Sequence, residues 1–203
     1  MAPRSSVTHK EQLLRQGMKL FYANGFRGTT VDAVLEAAGV PKGSFYHHFG
    51  SKEAFGLAVL ERYMTMQLDL LAEASGMEWG SVTAKLDRYF ATLVELFVAS
   101  GFQRGCLAGK FSTELAAGSE IFRKQLTHSI DAWHDMLTVM LAQGQRAGEI
   151  RTDRAAGDLA HTVLALVQGA FVIALSTRDA TALEAVRASV GSLIEPVPLT
   201  AAR

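Results

Sequence analysis

Between Thr30 and Phe49 the chain holds two short helical stretches separated only by Gly39-Val40-Pro41. This juncture limits the available folds more than any other feature of the sequence. Thr30 is a natural N-cap whose hydroxyl can accept an orphan N–H. Asp32 lies in the first turn, and Val31, Val34 and Leu35 take apolar positions. Gly39 stops that helix, and Pro41 suits the first position of the next, where a missing N–H costs nothing. Two short helices joined by a glycine-containing turn make a helix-turn-helix, whose second member can enter a DNA major groove. A coiled coil or a plain three-helix bundle is the competing reading. A purely structural third helix would not be so short, or so polar at Lys42, Gly43, Ser44 and His47.

Helical signals continue on both sides. Thr8-His9-Lys10-Glu11 reads as a capping box, followed by an apolar stripe of Leu13, Leu14, Met18, Phe21 and Tyr22 that ends at Asn24-Gly25. Ser51 reads as the cap of a long helix running to about Ser75. Further helices are expected near 81–100, 105–117, 119–147, 153–177 and 181–194, with Ser119 and Asp153 as N-caps and Thr181-x-x-Glu184 as a second capping box. No strand-like alternation or internal repeat competes, so the expected fold class is all-α. Residues 156–175 are apolar nearly all round and include Gly169, Ala170 and Ala174. Such a helix either packs against a second subunit or forms the centre of the core.

Charge divides the chain. Residues 1–52 hold seven Lys/Arg (including Arg4) against Glu11, Asp32 and Glu36, a balance of +4 that the remaining residues cancel, since the whole 203-residue chain is neutral. A basic head on an acidic body suggests that only the head meets a polyanion. With 49% hydrophobic and 20% charged residues and only four prolines, a packed core is expected. Cys106 is the single cysteine, which rules out an intrachain disulfide and fits a reducing compartment. Residues 1–20 lack the unbroken apolar run of a signal peptide, and no stretch of about 18 apolar residues occurs. A soluble, cytoplasmic protein without a membrane span is expected.

Helical geometry sorts the stretch VPKGSFYHHFGSKEAF, residues 40–55, into faces. Phe45 and Phe49 share the side assigned to the core. Small Gly43 and Ser44 let the backbone approach a surface closely. Tyr46 and His47 can donate to phosphate oxygens, and Lys42 can reach a phosphate or a guanine edge. Lys52, and Thr30 at the start of the second helix, sit where backbone N–H groups already favour an anion. The expected DNA-binding set is therefore Thr30, Lys42, Gly43, Ser44, Tyr46, His47 and Lys52.

The segment GFRGTTVDAVLEAAGVPKGSFYHHFGSKEAF resembles the DNA-binding head of the TetR family of bacterial repressors. The match lies in Gly25-Phe26, Thr30, Ala38-Gly39-Val40, Lys42-Gly43, Phe45 to Phe49 and Ser51-Lys52-Glu53, within roughly residues 8–60. The resemblance implies a helix-turn-helix domain over 1–52 and a helical effector-binding and dimerisation domain over 53–203. It further implies a homodimer through the last two long helices, a double-stranded operator as partner, a small-molecule effector and no cofactor.

RGCLAGKFSTEL, residues 104–115, is the second unusual stretch. It fails as a phosphate loop, with three residues between its glycines and Phe111 after Lys110. Cys106 fits either a small buried hydrophobe or a reactive thiol at a helix N-terminus, with Arg104 and Lys110 close in sequence. The stretch is similar to the sixth helix of a TetR branch that responds to electrophiles or small unsaturated acids, where Gly-Cys-Leu occupies this place. No lysine occurs within 165–176, so a cysteine–lysine switch is not implied. By the same analogy Phe97, Phe102, Cys106, Trp133, His161, Gln168 and Phe171 surround an effector pocket, although each also suits an ordinary core. His128, His134 and His161 do not have metal-site spacing. A thiol-dependent enzyme or redox sensor centred on Cys106 is the alternative function, and a helical adaptor a third.

Overall fold

The computed structural model describes residues 8–78 and 80–196. Arg4 and the first residues of the amino-terminal segment lie outside them. The described residues form nine α-helices and no strand: α1 (His9–Asn24), α2 (Val31–Ala38), α3 (Lys42–Phe49), α4 (Lys52–Ser75), α5 (Val82–Ala99), α6 (Leu107–Leu115), α7 (Glu120–Arg146), α8 (Ala156–Thr177) and α9 (Thr181–Ile194). They divide into two compact units, residues 1–66 with 107–127, and residues 67–106 with 128–203.

The first unit is built on phenylalanine. Phe21, Phe45, Phe55, Phe111 and Phe122 are almost wholly buried. Phe21 sits 5.7 Å from Phe55 and 5.4 Å from Phe111 between ring centroids, and Phe26 lies 5.1 Å from Phe122. These tilted and edge-on pairs suit the ring quadrupoles and bury large apolar areas. Gly17 lets α1 approach α4 here, because a Cβ at that position would collide with the Phe55 ring.

The second unit packs α5, α8 and α9 with the later turns of α4 and α7. Leu86, Phe97, Leu141, Leu159, Ala160, Ala174 and Ile194 are fully buried. Small Ala160 and Ala174 allow α8 close approach to its neighbours. Arg187 of α9 grips Asp87 of α5 with two hydrogen bonds of 2.7 and 2.9 Å. Helix α8 is long and apolar enough to cross a membrane, yet 44% of its most apolar window is buried within the protein.

Several caps differ from the sequence reading. Pro41 is the N-cap of α3 rather than its first residue. Thr8 does accept from the Glu11 N–H at 3.3 Å, but the Glu11 carboxylate turns to Arg62 at 2.6 Å instead of closing the capping box. Asp153 binds the Arg151 guanidinium at 2.6 Å, and Ala155 precedes α8 without a side-chain cap. Thr181 is the first residue of α9, and its N–H donates to the Asp179 carboxylate at 2.9 Å. In the Glu11 and Asp153 cases a guanidinium outcompetes a solvated N–H, because the charge-assisted bond is the stronger one.

Candidate nucleic-acid interface and effector site

Helix α3 owes its placement to the residues before it. The Thr30 hydroxyl accepts from the Ala33 N–H at 3.1 Å and starts α2. Gly39 adopts a left-handed conformation (φ 63°), and the Val40 N–H returns to the Leu35 carbonyl at 3.2 Å. That closing turn swings the chain into α3 within two residues. Phe45 then anchors α3, fully buried and 5.1 Å from Phe55.

The opposite side of α3 is open. Lys42, Gly43, Tyr46 and His47 are all exposed, with Tyr46 at 47%. Nothing lies within 4 Å of where a Gly43 Cβ would stand. Lys42 and Tyr46 share one edge of this surface and Gly43 and His47 the adjoining one. Lys42 pairs with Asp32 at 3.3 Å, but both partners are solvated. Such a pair is worth about 0–1 kcal/mol, so Lys42 can exchange it for a phosphate. Ser44 is half-buried and 3.2 Å from His9 Nδ1, a contact between α1 and α3 that no local pattern announces. Lys52 differs most from the sequence reading: it is half-buried with its ammonium 4.6 Å above the Phe26 ring. Thr30 is exposed beside α3.

Helix α6 is latched to the end of α1. The Glu114 carboxylate accepts from the N–H groups of Phe26 and Arg27 at 2.9 and 2.7 Å. Lys110, one turn earlier, donates to the Tyr22 carbonyl at 2.6 Å. Sequence reasoning missed this clamp because its partners lie 87 or 88 residues apart.

Cys106 immediately precedes α6 and is only 7% exposed. It ends the first stretch of the second unit, residues 67–106, and Leu107, the first residue of α6, belongs to the other unit. The loop leading to it is organised by Ser100, whose hydroxyl accepts from the N–H groups of Gln103 and Arg104 at 3.1 and 3.0 Å. Phe102 in that loop has φ 61°, an uncommon conformation for a bulky residue.

Phe97 brings Phe102 and Phe171 together, at 5.7 and 5.9 Å between centroids. Two further buried side chains of this unit are Trp133 and a residue absent from the sequence reading, Tyr89, each 2% exposed. Burial pushes the Tyr89 phenol well above its ordinary range, Trp133 offsets part of that rise, and Cys106 adds to it. The Trp133 indole is the hydrogen-bonding neighbour of the Tyr89 hydroxyl, in a looser geometry than a regular hydrogen bond.

The chain matches the family model "Bacterial regulatory proteins, tetR family" over residues 13–59, and "Tetracyclin repressor-like, C-terminal domain" over residues 82–190. It is 37% identical over 166 residues to the HTH-type transcriptional repressor DhaR of Mycobacterium sp. (strain GP1), covering 80% of each protein. The chain belongs to the TetR family. Another relative, the HTH-type transcriptional repressor NemR of Escherichia coli (strain K12), is 35% identical over 136 residues, 67% of this chain and 68% of the relative. The crystal structure of E. coli NemR in its reduced form superposes with a TM-score of 0.86 at 31% identity, covering 94% of this chain and 99% of that one. A regulatory protein TetR from Rhodobacter sphaeroides gives 0.86 at 30% identity, with 91% and 97% covered.

The protein is accordingly a DNA-binding transcriptional regulator, from a family of dimers that bind operators and small-molecule effectors. The relatives and neighbours are regulators, and none supports an enzyme centred on Cys106. Of the remaining residues assigned to the effector pocket, Gln168 is half-exposed on α8. His161 is exposed and stacks on His134 at 3.9 Å between ring centroids. His134 Nε2 lies 3.1 Å from the Gly157 carbonyl oxygen. No group of three or more metal-ligating side chains exists among the described residues.

Proposed function

We propose that this TetR-family regulator is a homodimeric repressor, released from a pseudo-palindromic operator when an electrophile or small molecule acts at Cys106. Thr30, Lys42, Gly43, Ser44, Tyr46, His47 and Lys52 form the DNA-binding set within a functional head of residues 1–52. Lys42 and Tyr46 carry most of the contact, and Lys52 contributes through the field at the start of α4. Residues 53–203 serve effector binding and dimerisation, and the protein works in the cytoplasm.

Pairing through α8 and α9 is supported by Leu166, Val172 and Ile173, which leave an apolar strip exposed on α8, with Val172 at 65%. The observation that carries the effector reading is Cys106 at the threshold of α6, whose next turns hold the end of α1 through Lys110 and Glu114. A group added to the thiol displaces the first turn of α6 and favours a head arrangement that fits the operator less well. The E. coli NemR structure is described as a reduced form, in keeping with redox sensitivity at this place. Phe97, Phe102, Trp133 and Phe171 supply the apolar wall, and His161 and Gln168 the outer rim.

Fluorescence anisotropy of DNA from upstream of this protein's own gene tests the reading, with wild type and Cys106→Ser, each with and without N-ethylmaleimide. Release from wild type alone supports it. Retention of DNA by both proteins removes Cys106 from the mechanism.

A further inference from the structure

A helix lying in a major groove about 12 Å wide has a phosphate backbone along each of its flanks. Successive residues of α3 step round the helix by about 100°. Gly43 and His47 therefore form its outermost strip, with Lys42 and Tyr46 on one flank and Ser44 and His48 on the other. Each flank has a side chain tied to a neighbouring helix. Lys42 reaches Asp32 of α2, and Ser44 Oγ lies 3.2 Å from Nδ1 of His9, the first residue of α1. The Lys42 flank carries a cation for its strand. The Ser44 flank holds no lysine or arginine of α3, and His9 stands beside it. His9 is exposed, and its Nε2 has no partner among the described residues.

We propose that His9 is a DNA-contacting residue, which takes the Ser44 hydroxyl at Nδ1 and donates from Nε2 to a phosphate of the strand opposite the one that Lys42 meets. The inference rests on α3 lying in the groove. A neutral imidazole carries one proton, so its two nitrogens are linked. When Nδ1 accepts from the Ser44 O–H, the proton stands on Nε2, and an anion placed there holds that tautomer. Ser44 also fixes the plane of the ring, so less side-chain freedom is lost when phosphate binds.

The surroundings favour an anion. Lys10 follows in the chain and is exposed, and the acid of that turn, Glu11, is bound by Arg62 at 2.6 Å. The start of α1 adds the positive end of its dipole. On α3 the exposed groups are Lys42, His47 and His48, none of them acidic. A phosphate contact carries no base information, so His9 supplies affinity and register and leaves the choice of operator to other residues.

Anisotropy titrations test this on the full-length protein, using DNA from upstream of its own gene and an unrelated duplex. The variants are His9→Ala, His9→Phe and Ser44→Ala. His9→Phe keeps a flat ring and removes both nitrogens. Both His9 variants should weaken binding by about tenfold on both duplexes, with thermal melting unchanged. His9→Ala and Ser44→Ala together should cost less than the sum of the two singles, because the hydroxyl acts partly through the ring. A scan of single uncharged methylphosphonate substitutions then locates the contact. One position in each half-site should weaken wild type and leave His9→Ala indifferent, on the strand opposite the position that behaves this way for Lys42→Ala. Affinities of both His9 variants within about twofold of wild type overturn the proposal. So does a loss that tracks a fallen melting temperature, or a scan in which His9→Ala responds at every position that wild type does. If Lys42→Ala/Tyr46→Ala binds like wild type, α3 is not the groove helix and both readings fall. If that double variant loses affinity while the His9 variants keep it, the His9 contact alone falls.

Discussion

The outward face of α3 and the surroundings of Cys106 are built in opposite ways. The α3 face uses residues adjacent in sequence, exposed and almost without partners, held by Phe45 beneath them. Cys106, by contrast, is buried in the second unit, as are Tyr89 of α5 and Trp133 of α7. An exposed surface can trade water for phosphate at little cost, which suits a readily reversible contact. A buried side chain is fixed by its neighbours, so changing it disturbs the packing around it. The two candidate sites thus rest on different physics within one chain.

The most severe way to break the contrast is to remove what holds α3 in place. Phe45→Ala should cost about 3–5 kcal/mol of stability and abolish operator binding, read by thermal melting and anisotropy. The double variant Lys42→Ala/Tyr46→Ala should instead leave melting nearly unchanged while operator affinity falls by about a hundredfold or more. An unchanged affinity would remove α3 from the interface. The latch sharpens the comparison because it links neither surface to solvent. Glu114→Ala leaves the N–H groups of Phe26 and Arg27 without their acceptor, and should cost about 1–3 kcal/mol. It should also weaken the dependence of DNA release on Cys106 modification, measured by the same anisotropy titration.

The smallest expected effect lies in the second unit, at the Asp87–Arg187 pair. The Arg187 guanidinium holds the Asp87 carboxyl below its ordinary 3.8, by hydrogen bonding first and opposed by desolvation. A carboxyl with a depressed folded-state value adds stability above its unfolded value, and that contribution is lost as pH falls through the folded one. Asp87→Asn should therefore flatten the loss of stability below about pH 4 and change little at neutrality. Both side chains are substantially exposed, at 49% and 32%, so the effect at pH 7 should stay within about 1 kcal/mol.

Much of the first unit was legible because its signals are local. Thr30, Gly39 and Ser51 each act on backbone groups within five residues, and Phe45 and Phe49 fall on one side by helical spacing alone. The misread caps failed where a distant partner intervened: Arg62 drew Glu11 away from a box that local spacing had correctly offered. The position of Lys52 at the start of α4 is local and legible, whereas only the fold puts Phe26 beneath its ammonium. Tyr89 carried no signal at all, since an aromatic residue on an apolar helical stripe looks like any other core position.

By itself, then, the sequence determined an all-helical chain with a basic helix-turn-helix head, because helical period, caps and charge are written within a turn or two of the residues they govern. Tertiary structure alone decided that Glu114 and Lys110 clasp the end of α1, and that Arg187 of α9 grips Asp87 of α5. Those contacts join residues far apart in the chain. Close packing selects such partners by shape, and shape exists only once the helices have assembled.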